Sequence, residues 1–244
     1  MALRGHRVFG TSRAERPDAD GMRMLALDVR NEESVRAGVD KVLAEAGRID
    51  VLVNNAGYAL ASLIEEAKIE EAQAMFDTNF FGIARMTKAV LPAMRRQRAG
   101  QIINVGSLAG LVGVPGEGYY AASKFAIEGY SESLRYEVEG FGIRVSIVEP
   151  SYFKTGFDRA KVEGSDRIGD YDGMRERINS VFDAGLRRGG DPRAVGTLIA
   201  RIAETPRPRL RYRVGREAQL IAPLRCVLPD AVFAWGTRKW FRIR

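Results

Sequence analysis

One cysteine, Cys226, and one histidine, His6, stand in 244 residues. A lone cysteine excludes an internal disulfide framework and a multi-cysteine zinc site, and fits a reducing compartment. His6, near the start and without a second metal-ligating neighbour, reads as structural. No apolar run approaches the ~18 residues of a membrane span, and Met1-Ala2-Leu3-Arg4-Gly5-His6-Arg7 offers no stretch long enough for a signal peptide. The expected location is therefore the cytoplasm. Internal repeats, low-complexity tracts and Gly/Ser linkers are also lacking, so 1–244 reads as a single domain. At 45% hydrophobic and 28% charged residues the chain has an ordinary globular balance.

Acidic charge is in short supply at one end only. Lys and Arg number 38 against 31 Asp and Glu. From Thr205 to Arg244 there are ten bases and two acids, so this basic C-terminal extension carries +8 and the remaining chain −1. A nearly neutral body excludes a DNA-binding core and argues for no nucleic-acid partner. The tail reads either as a solvated basic face or as a contact for an anionic surface.

Short apolar runs alternate with helical periods. Strand-like runs cover Arg7–Thr11, Met22–Leu27, Ile49–Val53, Gln101–Val105, Ile143–Val148 and Leu210–Val214. Most are apolar on both faces, as strands between two helical layers must be. Val35, Val39, Val42 and Leu43 recur at helical spacing, as do Ile83, Met86, Val90, Leu91 and Met94, then Ile127, Tyr130, Leu134 and Val138. This alternation predicts an α/β, doubly wound parallel sheet of Rossmann-like form, whose ligands bind beyond the carboxyl ends of the strands.

The residues after each strand end are therefore the candidates. Ser12-Arg13 follows the first run and puts donors and a guanidinium where a dinucleotide fold meets the adenosine ribose, which suits a 2′-phosphate better than a free hydroxyl. Asp28-Val29 follows the second, with Asn31 as a helix cap. Asn54-Asn55-Ala56-Gly57 follows the third: its glycine permits close approach of a flat ligand, and its amides can tie neighbouring strand ends. Gly106-Ser107 follows the fourth. Tyr120 and Lys124, four apart, share a helix face. A phenol with a pKa near ~10 is a poor base at neutral pH, and a nearby ammonium is expected to lower it. A fall from about 10 to about 8 is worth about 3 kcal/mol.

Taken together these residues resemble the short-chain dehydrogenase/reductase family. Asp28-Val29, NNAG at 54–57, Thr78-Asn79, Gly106-Ser107 and Tyr120…Lys124 stand in the family's order and approximate spacing. The resemblance runs from about Gly5 to Thr155, and more loosely beyond. It implies a tetrad of Asn79, Ser107, Tyr120 and Lys124, with Tyr120 as general acid/base and Ser107 orienting the carbonyl or alcohol. Lys124 would lower the phenol pKa and bind the nicotinamide ribose, and Asn79 would hold a proton-relay water. It further implies NADP as cofactor, with Ser12 and Arg13 at the 2′-phosphate and Asp28 with Val29 at the adenine. Asn55 and Gly57 would lie on the ribose side and Thr155 at the carboxamide. Ser151 replaces the glycine usual after Pro150.

The front departs from the family. A first strand and the glycine-rich turn that holds a pyrophosphate are missing before Arg7. Leu3-Arg4-Gly5-His6 resembles the end of the first helix, with Gly5 as its C-cap. The missing strand would lie between 7–11 and 49–53, and its loss is expected to split the sheet. Met1 is then expected to be an internal methionine of a longer chain, the alternative being a short form that binds NADP poorly or not at all.

Between Tyr152 and Gly190, Phe153, Phe157, Ile168, Tyr171, Met174, Ile178, Val181 and Phe182 mark the segment 152–190 that closes over substrate in the family. They suggest a hydrophobic alcohol or ketone of steroid- or retinoid-like kind, or simply a helix packed on the sheet. Asp191-Pro192 starts a further helix through Ile199 and Ile202. Leu220 to Arg244 mixes apolar residues with arginine and reads as a lid, a subunit contact or a membrane-surface helix. The function expected is NADP(H)-dependent interconversion of a hydrophobic secondary alcohol and a ketone by a homo-oligomer. The rivals are a reductase of polar or acyl-thioester ketones and a non-catalytic NADP-sensing or scaffold protein.

Overall fold

The computed structural model describes residues 1–154 and 160–243; the expected sites at Thr155 and Phe157 lie outside them. Four parallel strands form the main sheet in the order β3 (Val51–Asn54), β5 (Gly100–Val105), β6 (Ile143–Pro150) and β8 (Arg211–Val214). Successive side chains of a strand point to opposite faces, and the core divides accordingly. Ile102 and Val145 pack with Val90, Met94 and Leu134 on one face. Ile103 and Val148 pack with Ile202 on the other. Helices α3 (Gly82–Gln97) and α4 (Gly118–Val138) cover the first face, and α6 (Arg193–Ala203) the second. This is the expected doubly wound parallel architecture.

A second parallel sheet pairs β1 (Val8–Ser12) with β2 (Met22–Ala26), in register Val8↔Met22 to Ser12↔Ala26. Among the described residues it shares no ladder with the main sheet, so these parallel strands fall into two groups. Helix α1 (Glu32–Ala46) joins the two parts by packing on β2 and on α3. Its start follows from Asn31, whose side chain accepts a hydrogen bond from Ser34 N at 2.8 Å, and from Glu32 and Glu33 in the first turn. Gly47, at φ 75°, ends it.

The third run begins later than expected. Ile49 is buried but precedes β3, because the Gln97 side chain takes both its N–H (3.0 Å) and its carbonyl (2.9 Å) in place of a ladder. A two-residue pairing of β4 (Leu60–Ala61) with β7 (Val162–Glu163) has no periodic signal in the sequence. It lays the segment after residue 160 against the loop after β3. Helix α2 (Ile69–Phe76) runs into α3 through a wide π-type turn, Asp77–Phe81. Helices α5 (Asp172–Arg187), α7 (Arg216–Val227) and α8 (Asp230–Phe241) gather beyond the carboxyl ends of β6 and β8. Gly5 caps a short turn at φ 82°, as expected. His6 pairs with Glu204 at 3.1 Å beside Arg4, a surface contact in keeping with a structural role.

Candidate active site

Asn54 is held at the end of β3 by donating to Asn104 Oδ1 on β5 at 2.9 Å, and Asn104 in turn donates to Ser131 on α4 at 2.8 Å. The amide tie between neighbouring strand ends is therefore made. It fixes where the following residues, Asn55 to Gly57, leave the sheet.

Asn79 sits in the π-type turn and is fully buried. Its Oδ1 accepts from Tyr58 N at 3.0 Å, while Nδ2 donates to Tyr58 O at 2.9 Å and to Ser123 Oγ at 3.2 Å. The Ser123 hydroxyl in turn donates to the backbone carbonyl of Tyr120 at 2.7 Å. One amide thus locks the loop after β3 to the first turns of α4. Gly57 packs directly on it: a Cβ there would fall 2.9 Å from Asn79 Oδ1 and 4.0 Å from Lys124 Nζ.

Tyr120 and Lys124 are both buried and share one face of α4, with Lys124 Nζ 5.7 Å from the centre of the Tyr120 ring. Lys124 Nζ donates to Val105 O, the last carbonyl of β5, at 3.0 Å. Ser107 begins the next turn; its Oγ accepts from Ala109 N at 3.1 Å, and its hydroxyl is hydrogen-bonded to Tyr120. Asn55, Gly57, Ser107, Tyr120 and Lys124 all line one cavity of about 850 Å³, within the range of small-molecule sites.

The electrostatics correct one expectation. Burial pushes the Tyr120 hydroxyl above its ordinary range, Glu117 adds to the rise, and the hydrogen bond with Ser107 acts the other way. Lys124 is itself pushed down to about 8 by burial. Spacing alone suggests an ammonium that acidifies the phenol; here desolvation dominates and favours the neutral form of both groups.

The remaining sequence candidates divide. Ser12 and Arg13 close β1 outside the cavity, although Arg13 is near enough to lower the pKa of Asp28 and to act on Tyr58. Asp28 does not present a free carboxylate. It chelates Arg30 through bonds of 2.8–3.3 Å, which hold it at about 2. Val29 packs where a Cβ on Gly82 would come within 2.8 Å. Ser151 donates to Glu217 Oε2 at 2.8 Å and so anchors α7 to the end of β6. Of the apolar residues singled out in 152–190, Phe153 and Phe182 line the cavity, together with Tyr152, Ala160 and Leu186, whereas Ile178 is 3% exposed and packs near Gly116.

Glu117 was not singled out by the sequence, although it lies three residues before Tyr120, a spacing that places both on one helix face. It lines the cavity, and burial raises it to about 7 against the opposing charge of Lys161. Among the described residues no hydrogen bond engages its carboxylate.

For the nicotinamide half of a dinucleotide the residues present fit. A glycine whose side chain would collide with Asn79, a buried amine, a phenol and a serine converge at strand ends. That constellation on a doubly wound sheet defines a dinucleotide-linked oxidoreductase. The short chain dehydrogenase family model matches residues 9–166, and the chain belongs to that family. It is 42% identical over 247 residues to a 3-ketodihydrosphingosine reductase of Bacteroides thetaiotaomicron, covering 100% of this chain and 92% of the relative. It is 37% identical over 219 residues to retinol dehydrogenase 8 of Bos taurus, covering 84% of this chain and 67% of the relative. A short-chain dehydrogenase structure from Streptomyces avermitilis superposes with a TM-score of 0.82 at 32% identity, covering 99% of this chain and 90% of that one.

Proposed function

We propose that this oxidoreductase uses NADP(H) to interconvert a long-chain ketone bearing an amine beside its carbonyl with the corresponding secondary alcohol. The observation that carries the reading is the meeting of Ser107, Tyr120 and Lys124 in a largely apolar cavity that also contains the carboxyl group of Glu117, on which the charge of Lys161 acts. Ser107 orients the carbonyl oxygen by donating a hydrogen bond, and Tyr120, kept protonated by burial, delivers the proton to it. In the reverse direction the phenolate takes that proton back. Lys124 and Asn55 bind the nicotinamide ribose, and Gly57 leaves room for it. When bound, the nicotinamide supplies the hydride to the carbonyl carbon. Arg13, with Ser12, supports the 2′-phosphate. Asp28, through its backbone, and Val29 would lie at the adenine. Asn79 holds the loop that frames the site, and proton resupply through a water beside it belongs to the same proposal.

Glu117 suits an ammonium next to the reacting carbon. The Bacteroides thetaiotaomicron relative is named for reduction of 3-ketodihydrosphingosine, a long-chain amino ketone. Oxidation of NADPH should be followed with a long-chain 2-amino ketone, its desamino analogue and an acetoacetyl thioester. The amino ketone should give the highest kcat/KM, and Glu117→Gln should cut its advantage over the desamino ketone by about tenfold or more. Faster turnover of the thioester contradicts the substrate assignment. NADPH binding without turnover of any of the three contradicts the enzymatic reading for this chain.

A further inference from the structure

Helices α7 and α8 pack on each other at the outer side of the cavity. Leu224, Val232 and Trp240 line the cavity and are nevertheless exposed at 46%, 47% and 58%. Side chains that belong to both the cavity and the surface form its rim. The surface outward of that rim is apolar as well: Leu220, Val227 and Trp235 are exposed at 65%, 75% and 60%, and none of them lines the cavity. On α7, Leu220, Leu224 and Val227 stand at positions i, i+4 and i+7, a single stripe. On α8, Val232, Trp235 and Lys239 share a face by the same spacing, with the Lys239 ammonium 5.5 Å from the Trp235 ring.

Charge of one sign surrounds these residues. Between Leu220 and Ile243 stand Arg225, Arg238, Lys239 and Arg242 against one acid, Asp230, which pairs with Arg225 at 2.6 Å. An exposed apolar stripe, tryptophans and flanking bases are what a helix needs to lie in a lipid interface. No helix among the described residues is long and apolar enough to cross a membrane. A second copy of the chain is disfavoured as the occupant, since a two-fold contact would set these bases against their own counterparts.

We propose that the α7–α8 face docks on an anionic lipid bilayer and sets the mouth of the cavity in the headgroup layer, so that a long-chain substrate passes from lipid to active site without crossing water. Docking goes beyond the reaction proposed above and is measured without cofactor or ketone, so either can fail alone.

Both tryptophans of the chain, Trp235 and Trp240, lie on α8, so intrinsic fluorescence reports this face. The full chain should be titrated with phosphatidylcholine vesicles with and without phosphatidylglycerol, by tryptophan emission and by co-sedimentation. Phosphatidylglycerol vesicles should shift the emission to the blue and sediment the protein, and added salt should weaken both effects. Leu220→Glu with Val227→Glu, and separately Arg238→Glu with Lys239→Glu, should each weaken binding by about tenfold or more, with circular dichroism melting to show that each variant folds. Absence of binding to phosphatidylglycerol vesicles overturns the proposal, as does undiminished binding of folded variants. A dimer in light scattering that dissociates in the Leu220/Val227 variant assigns the face to a second copy instead.

Discussion

The Lys124 amine lies 5.7 Å from the centre of the Tyr120 ring and donates a hydrogen bond to the last carbonyl of β5 at 3.0 Å. The strand thus anchors the amine beside the tyrosine ring. Burial lowers the lysine to about 8 and raises the tyrosine. Below pH 8 the site contains an ammonium beside a protonated phenol, the pair suited to reducing a carbonyl. Reduction should therefore decline as pH rises through about 8. Lys124→Arg should move that limb to higher pH, and Lys124→Met should lower kcat by about a hundredfold or more. Steady-state pH profiles of NADPH oxidation check both.

Gly57 has no room to grow. Its Cβ would fall 2.9 Å from Asn79 Oδ1, an atom already bonded to Tyr58 N. Gly57→Ala should displace the amide and cost about 1–3 kcal/mol in stability through polar groups left unpaired. It should also raise the Kd for NADPH. Denaturant unfolding and fluorescence titration measure the two effects.

Arg13 is the cation expected to distinguish the two nicotinamide cofactors. Arg13→Ala should raise KM for NADPH about tenfold or more while leaving KM for NADH within about twofold, since loss of one phosphate contact is worth 1.5–3 kcal/mol. Equal effects on both cofactors would remove Arg13 from that role.

The strands and their parallel arrangement were legible in the sequence because β5 and β6 are buried on both faces, and such strands carry adjacent apolar residues rather than a strict alternation. Ile102, Ile103, Ile147 and Val148 are 0% exposed. The Tyr120–Lys124 pairing was legible for a similar reason, since helical spacing alone puts both on one face. Desolvation of that pair was not, because it depends on the residues from Pro150 to Phe241 that line the same cavity. Glu117 was missed on the same ground: only the cavity shows that a carboxylate three residues before the tyrosine faces an apolar space. Ile49 lost its place in β3 to the Gln97 side chain, a tertiary contact that no local period encodes.

Below the site, Glu128 is pushed up to about 7 by burial and by the charge of Glu149, with Arg211 offsetting both at 2.8 Å. A carboxyl near 7 in the folded chain and near its ordinary value in the unfolded one binds its proton more tightly when folded. Its contribution to stability is present at low pH and is lost as pH rises from about 4.5 to about 7. Glu128→Gln should flatten that decline, by on the order of 1–3 kcal/mol across the interval. Urea unfolding at a series of pH values tests it.

Proton delivery by the Tyr120 hydroxyl is best tested by single-turnover oxidation of NADPH with a long-chain ketone, comparing the parent chain with Tyr120→Phe after both are shown to bind NADPH. Removal of one oxygen should slow the hydride step by about 100- to 10,000-fold while leaving cofactor affinity nearly unchanged. A variant that binds NADPH and turns over within tenfold of the parent rate would contradict the account.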